Sequence, residues 1–169
     1  MSGTDQELFN LAMSEESRPL MYAVQKHITE NVAPITEEFF ALNDEKEDRW
    51  TWHPRQTELL EGAKAKAKES GLWNFFLPDA ETGQGLNNLD YAYIAAELGK
   101  SPLASQTLNC SAPDTGNMEV LERVGTPEQK DRWLTPLLNG EIRSAYAMTE
   151  PGVASSDAKN VATHAVLED

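Results

Sequence analysis

The sequence predicts a mainly α-helical fold, a bundle of five or six helices that leads into the first strands of a β domain. Apolar residues recur every three or four positions over long stretches, a spacing typical of amphipathic helices. Proline and glycine stand at the starts and ends of these stretches. Strand-like spacing appears only after residue 141. We therefore divide the 169 residues into an acidic, flexible lead-in, 1–16, a helical domain, 17–141, and the start of a β domain, 142–169.

Composition narrows the class of protein. Apolar residues make up 40% of the chain, which excludes a disordered protein. Acidic residues outnumber basic ones by 28 to 14, and the net charge of −14 argues against nucleic acid and anionic membranes as partners. The single cysteine, Cys110, excludes an internal disulfide and fits a reducing compartment. Because no secretory signal and no apolar run of membrane-spanning length is present, we expect a cytoplasmic location.

The first predicted helix carries an apolar stripe at intervals of three and four residues. Pro34 interrupts the pattern and predicts a kink there or a break just before it. The stripe consists of Leu20, Val24, Ile28, Val32, Ile35 and Phe39.

The second predicted helix runs from Pro54 to Ser70 and stops at Gly71. Lys64, Lys66 and Lys68 form a basic run, which we interpret as a solvated helix face rather than a ligand site. In the charged connection before this helix, Trp50 and Trp52 are expected to pack against a neighbour.

The middle of the chain alternates connectors and helices. Residues 72–77 are expected to be a buried connector, and 82–88 to be a plain turn, because a dinucleotide motif would need a third glycine where Asn88 stands. Asn88 is expected to cap the next helix, 89–98. That helix is apolar almost all round, which predicts a central position, with Glu97 in a structural ion pair.

Three further segments complete the predicted bundle. Residues 102–112 are compatible with a helix, and 114–124 form a helix stopped by Gly125. Thr126-Pro127-Glu128-Gln129 reads as a capping box that starts a last helix ending at 139–140. The three histidines show no ligand spacing with Cys110, so we expect no metal site.

The stretch from residue 140 to 157 differs from everything before it. Residues 142–148 have strand-like spacing, and Thr149-Glu150-Pro151-Gly152 is a strong turn signal. Ser155, Ser156 and Asp157 follow, and paired hydroxyls beside freed backbone N–H groups can form an anion cradle. Residues 160–167 again alternate like a strand.

These motifs resemble the acyl-CoA dehydrogenase family, in which an aromatic residue precedes a Thr-Glu-Pro-Gly turn and a small-residue run closing in Ser-Asp. The run 153–157 is one residue longer than the usual Ala-Gly-Ser-Asp and is similar to the branch with Val-Ala-Ser-Ser-Asp. Residues 97–99 and 125–141 also resemble the family. The likeness covers roughly residues 18–169, and the family continues into a full β-barrel-like middle domain and a second helical domain. The chain therefore looks like the first third to half of a longer protein.

The resemblance implies FAD as cofactor and α,β-dehydrogenation of an acyl-CoA thioester, as in fatty acid β-oxidation. It places Thr149 near flavin N5, backbone groups of Ala147 and Met148 at the flavin rim, and Tyr146 packing beside it. Ser155 and Ser156 would bind the pyrophosphate, with Ser156 also near the acyl-CoA substrate. The family's catalytic base lies beyond this segment, so we assign no catalytic residue here and expect no turnover by the 169 residues alone.

The resemblance also implies an electron-transferring flavoprotein as acceptor and assembly into a homodimer or homotetramer. Two alternatives stay open. One is an acyl-CoA oxidase or flavin monooxygenase of the same fold, and the other is a non-catalytic helical binding or assembly module. Acyl chain length and branching do not follow from the sequence.

Overall fold

A computed structural model describes residues 11–48, 50–154 and 156–167, and most of the predicted lead-in lies outside them. Its described part contains eight α-helical segments, joined in places by π or 3-10 turns. They are α1 Arg18–His27, α2 Ala33–Ala41, α3 Pro54–Glu69, α4 Asn88–Leu98, α5 Ala104–Thr107, α6 Asp114–Val124, α7 Pro127–Gln129 and α8 Thr135–Leu138. The π segments are Ile28–Val32 and Lys130–Leu134, and the 3-10 turns are Leu42–Glu45 and Ala158–Asn160. The predicted mainly helical fold is confirmed.

Both π segments come directly before a proline-containing turn. The N–H of Ala33, next to Pro34, bonds to the carbonyl of Ile28, five residues earlier. The N–H of Thr135, next to Pro136, bonds in the same way to Lys130. A proline has no N–H to donate and its ring collides with the carbonyl four residues before it, and the wider π turn relieves that collision. The interruption predicted just before Pro34 is therefore present, while the helix continues through it.

Helices α1, α2, α3, α4 and α6 all contribute side chains to the hydrophobic core. The connector 72–77 contributes Leu72, Phe75, Phe76 and Leu77, all buried as predicted. Helix α3 begins at a capping box of His53 and Gln56 and ends before Gly71, whose φ of +69° favours glycine. The 102–112 segment forms only the short α5, but about half of its residues are buried, and Cys110 lies in the core as a free thiol.

Helix α4 differs from the prediction in two ways. Asn87, not Asn88, caps it, since the Asn87 side chain accepts the N–H of Asp90. The helix is also not central, because Ala92, Tyr93 and Ala96 are exposed. Periodicity cannot tell a helix covered on all sides from one that shows an alanine-rich face to solvent. The predicted ion pair is present: Glu97 contacts Lys100 at 2.6 Å.

Two expectations for long side chains are only partly met. Lys64 is buried and bonds Glu61 at 2.7 Å, so the basic run is not a uniformly solvated face. A lysine can bury its methylene chain while its ammonium reaches a carboxylate. Trp52 packs edge-on against Phe39, with ring centroids 5.6 Å apart, whereas Trp50 is 79% exposed.

The described residues after α8 contain no strand. Residues 143–150 and 161–167 have neither helix nor strand assigned, so the strands predicted at 142–148 and 160–167 are not formed here. A strand is stabilised by the backbone of its neighbours, and a lone pair of short strands is marginal. No helix in the described ranges is long and apolar enough to cross a bilayer.

Candidate functional site

The end of the last bundle helix is fixed by donors from two distant loops. Asn109 donates to the carbonyl of Leu137 at 3.0 Å and to the side chain of Asn74 at 2.7 Å. Asn74 and the indole of Trp73 both donate to the carbonyl of Leu138, at 3.1 and 2.7 Å. A helix leaves its last carbonyls unpaired, and these side chains satisfy them. They also determine where the chain leaves the bundle.

Gly140 turns the chain at this exit. Its φ is +69°, and a Cβ at this position would lie 2.8 Å from a ring carbon of Trp73. Trp73 is held by its own hydrogen bond and by Lys68, whose ammonium lies 4.5 Å from the ring centroid. Glycine is therefore required here for both conformation and space.

A buried carboxylate then holds the first residues beyond the turn. Asp114, in the first turn of α6, accepts the backbone N–H of Ser144 at 2.7 Å and its hydroxyl at 2.6 Å. Arg143 donates to the other carboxylate oxygen. Burial raises the pKa of Asp114, but the bonds from Ser144 and Arg143 outweigh it and hold that pKa below its usual value. The carboxylate is thus an ionised anchor between the bundle and the segment that follows.

Four of the predicted site residues line one groove. Tyr146, Ala147, Met148 and Thr149 form one side of a cavity of about 420 Å³, and Glu150, Val161 and Thr163 complete it. Thr149 is exposed, and no hydrogen bond joins its hydroxyl to another described residue. The hydroxyl and the neighbouring backbone groups are thus accessible to a ligand. A volume of this size lies within the range of cofactor and small-molecule sites.

Glu150 folds the downstream chain back onto this groove. Its carboxylate accepts the N–H groups of Ala162 and Thr163 at 3.0 and 2.8 Å, and the hydroxyl of Thr163 as well. These bonds, led by the Thr163 hydroxyl, lower the pKa of Glu150. Glu150 therefore holds residues 162 and 163 close to the turn.

A second, mostly apolar groove lies on the bundle side of the same segment. It has a volume of about 550 Å³ and shares Tyr146 with the first groove. Side chains from α6, from the last helix (127–138) and from the exit segment, which we define as residues 141–149, line it, among them Val120, Leu121, Trp133, Leu137 and Ile142. Tyr146 is 69% exposed and separates the two grooves.

Of the two predicted serines, the structure describes Ser156, and it is not brought to the groove. Ser156 is exposed in a turn and is not among the residues that line the groove. Ser155 lies outside the described residues. Beside them, Asp157 accepts the N–H of Lys159 at 3.1 Å. A role for either serine in binding a pyrophosphate stays a prediction.

Sequence reasoning missed the structural roles of Asp114, Asn74 and Asn109 at the site. It also missed that Glu150 bonds to residues 162 and 163. Asn74 and Asn109 both have positive φ, at 57° and 55°, and asparagine tolerates that conformation better than most residues. Asp114 directly follows Pro113 at a helix start, where an acid usually suggests a cap. Its second role, as the acceptor for Ser144 30 residues later, is visible only in the folded structure. In the described ranges no group of three or more His, Cys, Asp or Glu side chains could hold a metal ion.

Comparison with known proteins gives a consistent result. The family model "Acyl-CoA dehydrogenase, N-terminal domain" matches residues 14–141. Acyl-CoA dehydrogenase family member 10 of Mus musculus is 47% identical over 162 residues, which is 93% of this chain and 15% of that protein. Acyl-CoA dehydrogenase family member 11 of Gallus gallus is 45% identical over 161 residues, 94% of this chain and 20% of that protein.

A solved structure agrees with these matches. The "Structure of a putative acyl-CoA dehydrogenase from Mycobacterium abscessus" is 47% identical, with a TM-score of 0.79, over 88% of this chain and 37% of that one. This chain spans 15% and 20% of the two curated relatives named above and about a third of the solved chain.

Proposed function

The chain belongs to the acyl-CoA dehydrogenase family, and from this premise we propose that the complete protein is a FAD-dependent acyl-CoA dehydrogenase. The proposal assigns it the α,β-dehydrogenation of an acyl-CoA thioester, with residues 17–141 as the N-terminal helical domain and 142–169 as the start of the middle β domain. The observation that carries the proposal is the segment 146–149, of which Tyr146, Ala147 and Thr149 are exposed, at a groove just beyond the hydrogen-bonded end of the last bundle helix.

The residues at the groove fit one edge of a flavin. An isoalloxazine ring offers donors and acceptors along the N5 and O4 edge, and recognition of that edge needs small polar groups beside a flat apolar surface. Thr149 supplies a hydroxyl, residues 147 and 148 supply backbone groups, and Tyr146 supplies an aromatic face. Bound FAD would supply the hydride acceptor.

The chain's own contribution to the reaction is binding and orientation. Thr149 would donate to or accept from the ring edge, which fixes the ring relative to the bundle. Tyr146 and the apolar groove beside it would exclude water from one side of the site, which strengthens polar interactions there. Ser155 and Ser156 would hold the pyrophosphate, and Ser156 would also contact the acyl-CoA.

The proton-accepting carboxylate is not assigned to this chain. Glu150, the carboxylate at the groove, is engaged by Ala162 and Thr163, and Asp114 is engaged by Arg143 and Ser144. Neither is available as a base toward a substrate Cα. We therefore expect the 169 residues alone to show no turnover.

Flavin binding by the purified complete protein tests the proposal. We expect the visible absorbance bands of FAD, bleached anaerobically by an acyl-CoA of suitable chain length. Thr149→Ala is expected to weaken FAD binding about tenfold, as loss of one ligand hydrogen bond to a polar edge typically does. Thr29→Ala, at an exposed position in the π segment after α1, is the matched control and should leave FAD binding unchanged.

The same preparation separates the alternatives. Rapid reoxidation of the reduced protein by oxygen would indicate an acyl-CoA oxidase or a flavin monooxygenase, and slow reoxidation with transfer to an electron-transferring flavoprotein would support the dehydrogenase. A complete protein that folds but retains no flavin would refute the proposal and favour a helical assembly module. Sedimentation and cell fractionation would test the proposed homodimer or homotetramer and the cytoplasmic location.

A further inference from the structure

A buried side chain of the bundle, Asp114, holds the first residues of the exit segment. The side chain of Asp114 is 3% exposed, while that of its partner Arg143 is 44% exposed. The carboxylate accepts three bonds from two consecutive residues, the backbone N–H and hydroxyl of Ser144 and the guanidinium of Arg143. Such a set fixes backbone position as well as side-chain position, because one of the three donors is the backbone itself.

The Ser144 hydroxyl both donates and accepts a hydrogen bond. It donates to Asp114 and accepts from the amide of Asn117 at 2.8 Å, and Asn117 lies one turn further along α6. The same amide also reaches the carbonyl of Ala145, at 3.4 Å. Helix α6 thus holds residues 143–145 at several points, and a shift of the segment by one residue would break all of them.

This anchor lies directly upstream of the groove residues. Ser144 precedes Tyr146 by two positions and Thr149 by five, and an extended chain advances about 3.3 Å per residue. A one-residue slip at Ser144 would therefore move Thr149 by about 3 Å and reverse the direction of the intervening side chains. A ligand hydrogen bond does not survive a displacement of that size.

We propose that Asp114 is a positioning residue for the flavin site, whose carboxylate sets the register of residues 145–149 against the bundle. It acts through Ser144 and Arg143 and makes no contact with cofactor or substrate. The proposal deepens the proposed function and rests on it.

Asp90 provides a matched control. It is also a buried carboxylate near a helix start, and it accepts bonds from Ser14, Ser17 and Asn87. It therefore holds the residues that precede α1 in the chain, and none of its hydrogen bonds to described residues reaches the exit segment. Asp114→Asn and Asp90→Asn remove the same charge from similarly buried sites.

The test measures FAD affinity and the flavin absorbance spectrum of the complete protein, together with thermal stability. We expect both variants to lower the melting temperature. Asp114→Asn should weaken FAD binding about tenfold or more and shift the visible bands of the remaining bound flavin. Asp90→Asn should leave both readouts unchanged. Equal effects of the two variants on FAD binding, or no effect of Asp114→Asn, would overturn the inference.

A readout on the apoprotein distinguishes a failure of this inference from a failure of the proposed function. Because Asp114 holds Arg143, trypsin should cleave after Arg143 faster in apo Asp114→Asn than in apo wild type or apo Asp90→Asn. If wild type binds no FAD, the proposed function fails whatever the variants do. If Asp114→Asn does not fold, Ser144→Ala removes only the hydroxyl and should produce a smaller change in the same direction in FAD affinity and cleavage, and no change in either would refute the inference.

Discussion

Asn109 stabilises the exit from the bundle, and Asn109→Ala should be among its more damaging single substitutions. The amide of Asn109 donates to the carbonyl of Leu137 and to the side-chain oxygen of Asn74. Without it, two buried acceptors lose a donor, at about 1–3 kcal/mol each. Alanine in place of asparagine at a φ of +55° adds about 1 kcal/mol. The sum is about 3 kcal/mol or more, or about 6–12 °C in melting temperature for a domain of this size.

Urea unfolding of wild type and variant, followed by circular dichroism, measures this difference. Asn109→Gly separates the lost hydrogen bonds from the backbone strain, because glycine adopts a positive φ without strain but has no side-chain amide. This variant should be about 1 kcal/mol less destabilising than alanine. Asn88→Ala, at an exposed position at the start of α4, should change the free energy of unfolding by less than about 0.5 kcal/mol. A cost below about 1 kcal/mol for Asn109→Ala, or equal costs for alanine and glycine, would refute the reasoning.

Three further predictions concern other buried or constrained positions. Burial, and secondarily the charge of Lys66, lowers the pKa of His27, so on acidification the unfolded state takes up this proton before the folded state does. The contribution of His27 to the free energy of unfolding should therefore be full above about pH 6.5 and fall by up to about 1.4 kcal/mol per pH unit below it. His27→Gln should flatten this fall in melting curves recorded from about pH 5 to 8. Gly140→Ala should cost about 1–3 kcal/mol in urea unfolding, because the added Cβ meets Trp73 and the φ is positive, and an unchanged midpoint would contradict it. Burial raises the pKa of Cys110 to about 11, so a disulfide reagent at pH 8 should label the native thiol far more slowly than the thiol in urea.

Local sequence patterns predicted the helices well and their surroundings less well. Pro54, Gly71 and the capping box at Thr126 mark real helix ends, because caps and stops act within four residues along the chain. The exposed face of α4 could not be predicted from its composition. Burial depends on which other elements pack against a helix, and alanine and tyrosine are compatible with either outcome.

For the candidate site, the sequence alone determined the fold family, through the motifs around Thr149, and it named four of the seven residues that line one groove. It did not determine what holds them there. Asp114 contacts Ser144 across 30 residues, and Asn109 contacts Leu137 across 28, so neither pairing leaves a periodic signal in the chain. Short-range order follows from backbone conformation and spacing, whereas a buried carboxylate or amide acquires its role only when folding brings distant donors and acceptors within hydrogen-bond distance.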